Sequence, residues 1–226
     1  MNIKILRRRF PGDTPYWQTF AYAGPEDASV ASALDSLNYR DDVVDIEGKP
    51  APRISWECSC LQGMCGGCAM VINGTPALAC ETFLRDLPGD TLTLEPLRKF
   101  PVIADLVVDR TGIQAALLAA EVYPTPPAPA PTAEYPRQYA VSKCLKCGLC
   151  LEVCPNYGGE DGFLGALFAN DCYLVDSRDR SGSAALRRTY RRRFADGCSK
   201  SLSCMAVCPM HLPTLASMAH MNRKKK

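Results

Sequence analysis

The chain has 226 residues, 26 Lys+Arg against 24 Asp+Glu, and 47% hydrophobic residues, enough for one large or two small packed domains. A net charge of +2 carries no general nucleic-acid signature, and no apolar run of about 18 residues offers a membrane-spanning helix. Arg7-Arg8-Arg9 is followed from Pro11 to Gly24 by no apolar stretch of an export signal. The 13 cysteines are therefore expected to bind metal in a reducing compartment, the cytoplasm, and not to form disulfides.

The first hundred residues predict a small sheet with one helix. Ile3 to Phe10 and Tyr16 to Ala23 are strand-like and are separated by the turn cluster Pro11-Gly12-Asp13. Ala28 to Asn38 places Val30, Ala33, Leu34 and Leu37 at helical spacing, with Asp27 as the expected N-cap. Cys60, Cys65 and Cys68 then stand at C-x4-C-x2-C, with Cys80 beyond; this is the plant-type 2Fe–2S spacing. Gly63, Gly66 and Gly67 allow the loop to fold backbone N–H groups onto sulfur. Ala69 to Ala79 reads as a hairpin about Asn73-Gly74 that returns Cys80 to the loop. Cys58 lies off the spacing and is read as a non-ligand. Thr91 to Leu97 closes the sheet, and Phe100-Pro101 ends a β-grasp domain of residues 1–101.

From Val102 the apolar residues Val102, Ile103, Leu106, Val107, Ile113, Ala116, Leu117 and Ala120 predict a helix with a broad face. The stretch 123–136 is rich in proline and alanine and reads as an extended surface strap. Next comes Cys144-Leu-Lys-Cys147-Gly-Leu-Cys150-Leu-Glu-Val-Cys154-Pro155, the C-x2-C-x2-C-x3-C-P run of bacterial iron–sulfur proteins. A structural zinc site is the alternative, but zinc takes two separated C-x2-C pairs, which this run lacks. Phe163, Leu164, Leu167 and Phe168 predict one apolar helix face. Arg187, Arg188, Arg191, Arg192 and Arg193 are read as a solvated helix face, with docking to an acidic partner or anionic headgroups as the second reading.

The last cysteines are Cys198, Cys204 and Cys208-Pro209, with Ser201 where a C-x2-C-x2-C run would have its middle thiol. In two-cluster ferredoxins the fourth cysteine of a run ligates the other cluster. That pseudo-symmetry groups Cys144, Cys147, Cys150 and Cys208 on a 4Fe–4S cluster. It groups Cys154, Cys198 and Cys204 on a cluster with three thiolates, most simply 3Fe–4S, and ligation of a fourth iron by Ser201 stays open. Cys172 is left as a buried thiol. His211 and His220 are expected to be solvated or capping groups. With no acid–base constellation, the chain reads as an electron conductor.

These three ordered cysteine motifs, with Pro101-Val-Ile-Ala-Asp-Leu-Val-Val-Asp109 and Leu174-Val-Asp-Ser-Arg-Asp179, resemble the iron–sulfur subunit of the succinate dehydrogenase and fumarate reductase family over nearly the whole chain. The resemblance implies an α+β architecture: a β-grasp 2Fe–2S ferredoxin domain over 1–101, then an α-helical two-cluster ferredoxin domain over 102–226. It implies an enzyme subunit without catalytic residues of its own, conducting between the FAD of a flavoprotein subunit and a quinone at a membrane anchor. Asn156-Tyr157-Gly158-Gly159 has no tryptophan, and Ser199 stands where many members have a histidine. The segment Cys147-Gly-Leu-Cys-Leu-Glu-Val-Cys-Pro155 is more similar to menaquinone-linked members, whose anchors bear haem. The expected location is the cytoplasmic face of the plasma membrane, with Arg223-Lys224-Lys225-Lys226 near the lipid. Two other readings remain: the electron-transfer subunit of a different flavoenzyme (thiol-linked fumarate reductase or heterodisulfide reductase), and a free ferredoxin-like carrier.

Overall fold

Alternation along β1 (Asn2–Arg7) turns Ile3, Ile5 and Arg7 to a buried face, as the period of two requires. The computed structural model describes residues 1–123, 133, 135–159, 162–178 and 183–223. Most of the proline-rich strap, Asp179 of the second family motif and Lys224 to Lys226 lie outside the described residues. The chain forms two units, Met1–Asp109 and Arg110–Lys226.

In the first unit, β1 pairs antiparallel with β2 (Tyr16–Ala21), setting Ile3 opposite Phe20. It pairs parallel with β5 (Thr91–Glu95), setting Ile3 opposite Leu92 and Ile5 opposite Leu94. A parallel pair needs a long crossover, and α1 (Val30–Asn38) begins it, covering the sheet with Val30, Ala33, Leu34 and Leu37. Ser29 caps this helix, its Oγ accepting the Ser32 N–H at 3.1 Å. Asp27 was the expected cap; it is displaced because the serine side chain stands at the extended residue just before the first turn. The hairpin of β3 (Ala69–Ile72) and β4 (Thr75–Leu78) turns at Asn73 and Gly74, both left-handed, and completes the order β2-β1-β5-β3-β4. The Asn73 side chain accepts the Thr93 N–H at 2.8 Å, tying the turn to β5.

The helix expected from Val102 is not what forms. Val102–Ala104 (β6) and Val107–Val108 (β7) make a short antiparallel pair, and the first helix of the second unit, α2, runs Thr111–Ala119. The reason lies at Asp105, which turns the chain at φ +43 and accepts N–H groups from Arg8 at 2.9 Å and Ser55 at 2.8 Å. Those bonds hold the chain extended within the first unit, the conformation β-branched residues favour. Arg7, also buried, brings its Nε to 2.9 Å from Asp105. It donates to Gln18 Oε1 at 3.1 Å and to the carbonyls of Pro52 and Arg53 at 3.0 and 3.1 Å.

The second unit is helical: α3 (Tyr135–Ser142), α4 (Leu149–Glu152), α5 (Gly165–Arg178), α6 (Ser183–Arg193), α7 (Ser203–Ala206) and α8 (Thr214–Asn222) follow α2. α5 is its centre, with Phe168, Ala169, Cys172 and Tyr173 fully buried. Phe163 and Leu164 precede α5 and do not belong to its face. The arginine-rich α6 is only partly solvated, because Leu186 and Tyr190 are buried, as is Phe194 just beyond it. Arg187 is not solvated: it bonds both oxygens of buried Asp176 at 3.1 and 2.7 Å and donates to the carbonyls of Met221 and Arg223. His220 also leaves the solvent, its Nε2 lying 2.9 Å from Asp176; His211 is exposed.

Asp105→Asn keeps a residue that tolerates the left-handed backbone but removes the charge facing Arg7. The first unit is expected to lose about 3 kcal/mol or more, since it then buries an uncompensated guanidinium. The urea midpoint measures this. Adding Arg7→Met should cost less than the two single losses summed.

Candidate metal centres

Residues 58–68 form a loop whose backbone turns left-handed at Leu61, Gly63 and Gly66. Successive N–H groups thereby point to its inside, a nest for negative charge. Gln62 and Met64 donate to Cys60 Sγ at 3.4 and 3.3 Å, Gly67 to Cys65 Sγ at 3.4 Å and Gly63 to Cys80 Sγ at 3.3 Å. The glycine pattern points to Gly63 and Gly67; Gln62 and Met64 carry no sequence signal, since any residue supplies an N–H. Cys68 and Cys80, both buried, bring their sulfurs to 3.4 Å. Two thiolates on one tetrahedral metal with bonds near 2.3 Å lie roughly 3.8 Å apart, so this pair needs little movement to share a metal. The Gln62 N–H, followed by contributions from Cys65 and Met64, brings the Cys60 thiol down to about 7, whereas burial pushes Cys68 up to about 12. Cys58 is exposed.

In the second unit the cysteines sort into two cavities. One is lined by Cys144, Cys147, Cys150 and Cys208 and also by Cys204. The other is lined by Cys154, Cys198 and Cys204, with Ser201 in its wall. The fourth thiol of the first run thus joins the last cysteines, and the last thiol of the chain joins the first run. Backbone turns accomplish the exchange. Lys146 and Lys200 are left-handed at φ +54 and +60, and α4 and α7 are single turns that carry Cys150 and Cys204. Ser201 is exposed, its Oγ 3.3 Å from that of Ser203. Cys172 is fully buried in α5.

Burial raises the thiols of Cys144 and Cys150, and that of Cys147 to about 11. Thiols so placed stay protonated unless a cation takes their charge, and a coordinated metal deprotonates them outright. Lys146 lies at the first cavity, ion-paired with Asp171, and the half-buried Arg110 donates to the Cys147 carbonyl at 3.4 Å. Among the described residues no three Cys, His, Asp or Glu side chains converge where a single ion would bind. The thiols instead ring open volumes, the arrangement a polynuclear cluster takes, and Leu149, Leu167 and Leu212 make the wall of the first largely apolar.

Comparisons with known proteins bear on both units. The family described as a 2Fe-2S iron-sulfur cluster binding domain matches residues 2–115, and the 4Fe-4S dicluster domain matches 140–212. The chain is 31% identical to the succinate dehydrogenase iron-sulfur subunit of Bacillus subtilis, covering 97% of this chain and 90% of that one. It is 33% identical to the fumarate reductase iron-sulfur subunit of Escherichia coli, over 96% and 90%. The fold is similar to a chain of the Mycobacterium smegmatis Sdh1 complex in the apo form, with a TM-score of 0.79 at 21% identity over 97% and 92% of the two chains.

Gly63 is left-handed at φ +67, and a Cβ there would stand 2.7 Å from Glu81 Oε1. Gly63→Ala is expected to cost about 1–2 kcal/mol locally and to turn its N–H from Cys80. Iron bound per first unit should fall while the second unit keeps its iron; iron-to-protein ratios and visible absorption check this.

Proposed function

The chain belongs to the family of succinate dehydrogenase and fumarate reductase iron–sulfur subunits, and from that premise we propose which residues perform its electron transfer. The dicarboxylate chemistry of such an enzyme belongs to a partner chain, and this subunit conducts. When bound, iron–sulfur clusters supply one-electron steps at potentials set by cluster type, charge, hydrogen bonds and exposure. In our reading Cys60, Cys65, Cys68 and Cys80 hold the 2Fe–2S cluster, with Cys68 and Cys80 on one iron. Cys144, Cys147, Cys150 and Cys208 hold the 4Fe–4S cluster, and Cys154, Cys198 and Cys204 hold the 3Fe–4S cluster. The observation that carries the assignment is the exchange of Cys154 and Cys208 between the two cavities. The amides of Gln62, Gly63, Met64 and Gly67 stabilise negative sulfur in the first unit, and a largely apolar wall lowers the polarity around the first cavity of the second.

Membership of the family implies a flavoprotein partner and a membrane anchor. Leu61 and Met64 are exposed beside Cys60 and Cys65, and Leu202 is exposed in the wall of the second cavity. Apolar side chains at the mouths of these sites support fixed partners over a free carrier, whose surface would be charged there. Ser199, and the absence of tryptophan after Pro155, support a menaquinone-linked enzyme whose anchor carries haem, at the cytoplasmic face of the membrane. The domain boundary, expected near Pro101, belongs to the same proposal; the two units of the structure part at Asp109–Arg110. Detergent extraction is expected to recover the chain with a large flavin-bearing subunit and an integral haem protein; recovery as a free monomer would sink the partner reading.

Ser201→Cys tests the three-thiolate site. A thiol there restores C-x2-C-x2-C beside Cys198 and Cys204 and should convert 3Fe–4S to 4Fe–4S. Electron paramagnetic resonance of the oxidised complex is expected to lose its 3Fe–4S signal, the potential should fall, and quinone reduction should slow, with dicarboxylate binding unchanged. A wild-type complex that already holds two four-iron clusters would contradict the assignment.

A further inference from the structure

Asn170, in the middle of α5, lines the cavity of Cys144, Cys147, Cys150 and Cys208 and is 2% exposed. Its Nδ2 donates to Thr214 Oγ1 at 3.0 Å, and its Oδ1, wholly buried, has no hydrogen-bond partner. Thr214 lines the same cavity and is itself buried. Nearly every buried polar atom in a native protein is satisfied, so an orphan on a cavity wall calls for a physical reason.

Donor and acceptor chemistry supplies one. Thiolates and bridging sulfides carry no proton to give, so the sulfur of such a cavity only accepts. A carbonyl oxygen turned to that sulfur meets nothing there that can donate to it. An amide turned end for end keeps its outline, and the threonine hydroxyl donates as readily as it accepts. With the amide so turned, Oδ1 accepts the Thr214 hydroxyl proton, and Nδ2 offers its N–H groups to the acceptor-lined cavity. Both ends are then satisfied.

We propose that Asn170, seated by Thr214, is a positioning residue that donates a hydrogen bond to sulfur of the cluster held by Cys144, Cys147, Cys150 and Cys208, and so holds that cluster's potential up. The inference rests on the four-cysteine ligand set proposed above. Its direction follows from charge: reduction makes the cluster more negative, and an N–H donor favours the more negative state.

The test is a redox titration of the intact complex, followed by electron paramagnetic resonance, in Asn170→Leu and Thr214→Val. With iron and sulfide contents unchanged, the 4Fe–4S potential in Asn170→Leu is expected to fall. At a fixed potential the reduced-to-oxidised ratio should drop on the order of tenfold, about 59 mV for a one-electron couple. Thr214→Val should shift it in the same direction by less, Thr214→Ser should restore it, and the 2Fe–2S potential should stay in place throughout. Full cluster content with an unmoved potential in Asn170→Leu overturns the proposal. If that variant fails to load its cluster, Thr214→Val decides, a lowered potential supporting the donor and an unmoved one overturning it. A wild-type complex without a four-iron signal would instead show that the ligand set itself is wrong.

Discussion

The helical unit is governed by the cost of placing thiolate charge among apolar neighbours, with little water around it. Burial holds Cys144, Cys147 and Cys150 in their protonated form, and only a bound cation reverses that preference. The fold accordingly spends its short, irregular elements on aiming sulfur. α4 and α7 are single turns, and left-handed residues such as Lys146 and Leu202 adjoin the cysteines. α5 is the regular element behind them, and its Ala166 lines both cavities. The first unit meets the same cost differently. There the loop is more exposed, and backbone amides rather than apolar walls surround the sulfur of Cys60.

Two buried charge constellations hold the parts that the metal sites do not. Arg7 and Asp105 join β1, the Pro52–Arg53 segment and the turn between β6 and β7. Asp176 gathers Arg187 and His220, and so binds α5, α6 and the end of α8. Such pairs contribute little net stability against apolar packing of equal volume, but removing one partner is expensive. Their effect is to fix which segments meet. In both, one arginine also donates to main-chain carbonyls at the end of a segment, closing groups that a loop or helix end would otherwise leave open.

Cysteine spacing was the strongest signal before any coordinates: it grouped Cys208 with the first run and Cys154 with Cys198 and Cys204, and the structure lines one cavity with the first set and the other with the second, Cys204 lining both. Element order in the first hundred residues was legible as well, because period-two alternation in Ile3 and Ile5 and helical spacing from Val30 to Leu37 are strong signals. The stretch from Val102 to Val108 misled. Its apolar residues fit a helical face, but the deciding interaction is Asp105 with Arg8 and Ser55, a contact across the chain that no local pattern announces. Arg187 misled for the same reason: in a run of arginines nothing marks the one whose partner, Asp176, sits on another helix. The donors Gln62 and Met64 were hidden because an amide N–H belongs to every residue but proline.

The crossing of Cys154 and Cys208 also orders events in time. As the chain leaves the ribosome, the first unit has all five of its cysteines once Cys80 emerges, more than a hundred residues before Cys208. The second unit has three adjacent thiols at Cys150 but cannot close that cavity until Cys208, and Cys154 waits for Cys198 and Cys204. A nascent chain therefore passes through a long interval with the first-run cysteines emerged but incomplete as a site. With the proposed ligand set, maturation of the helical unit waits for Cys208, and the machinery that delivers iron can meet the first unit more than a hundred residues earlier.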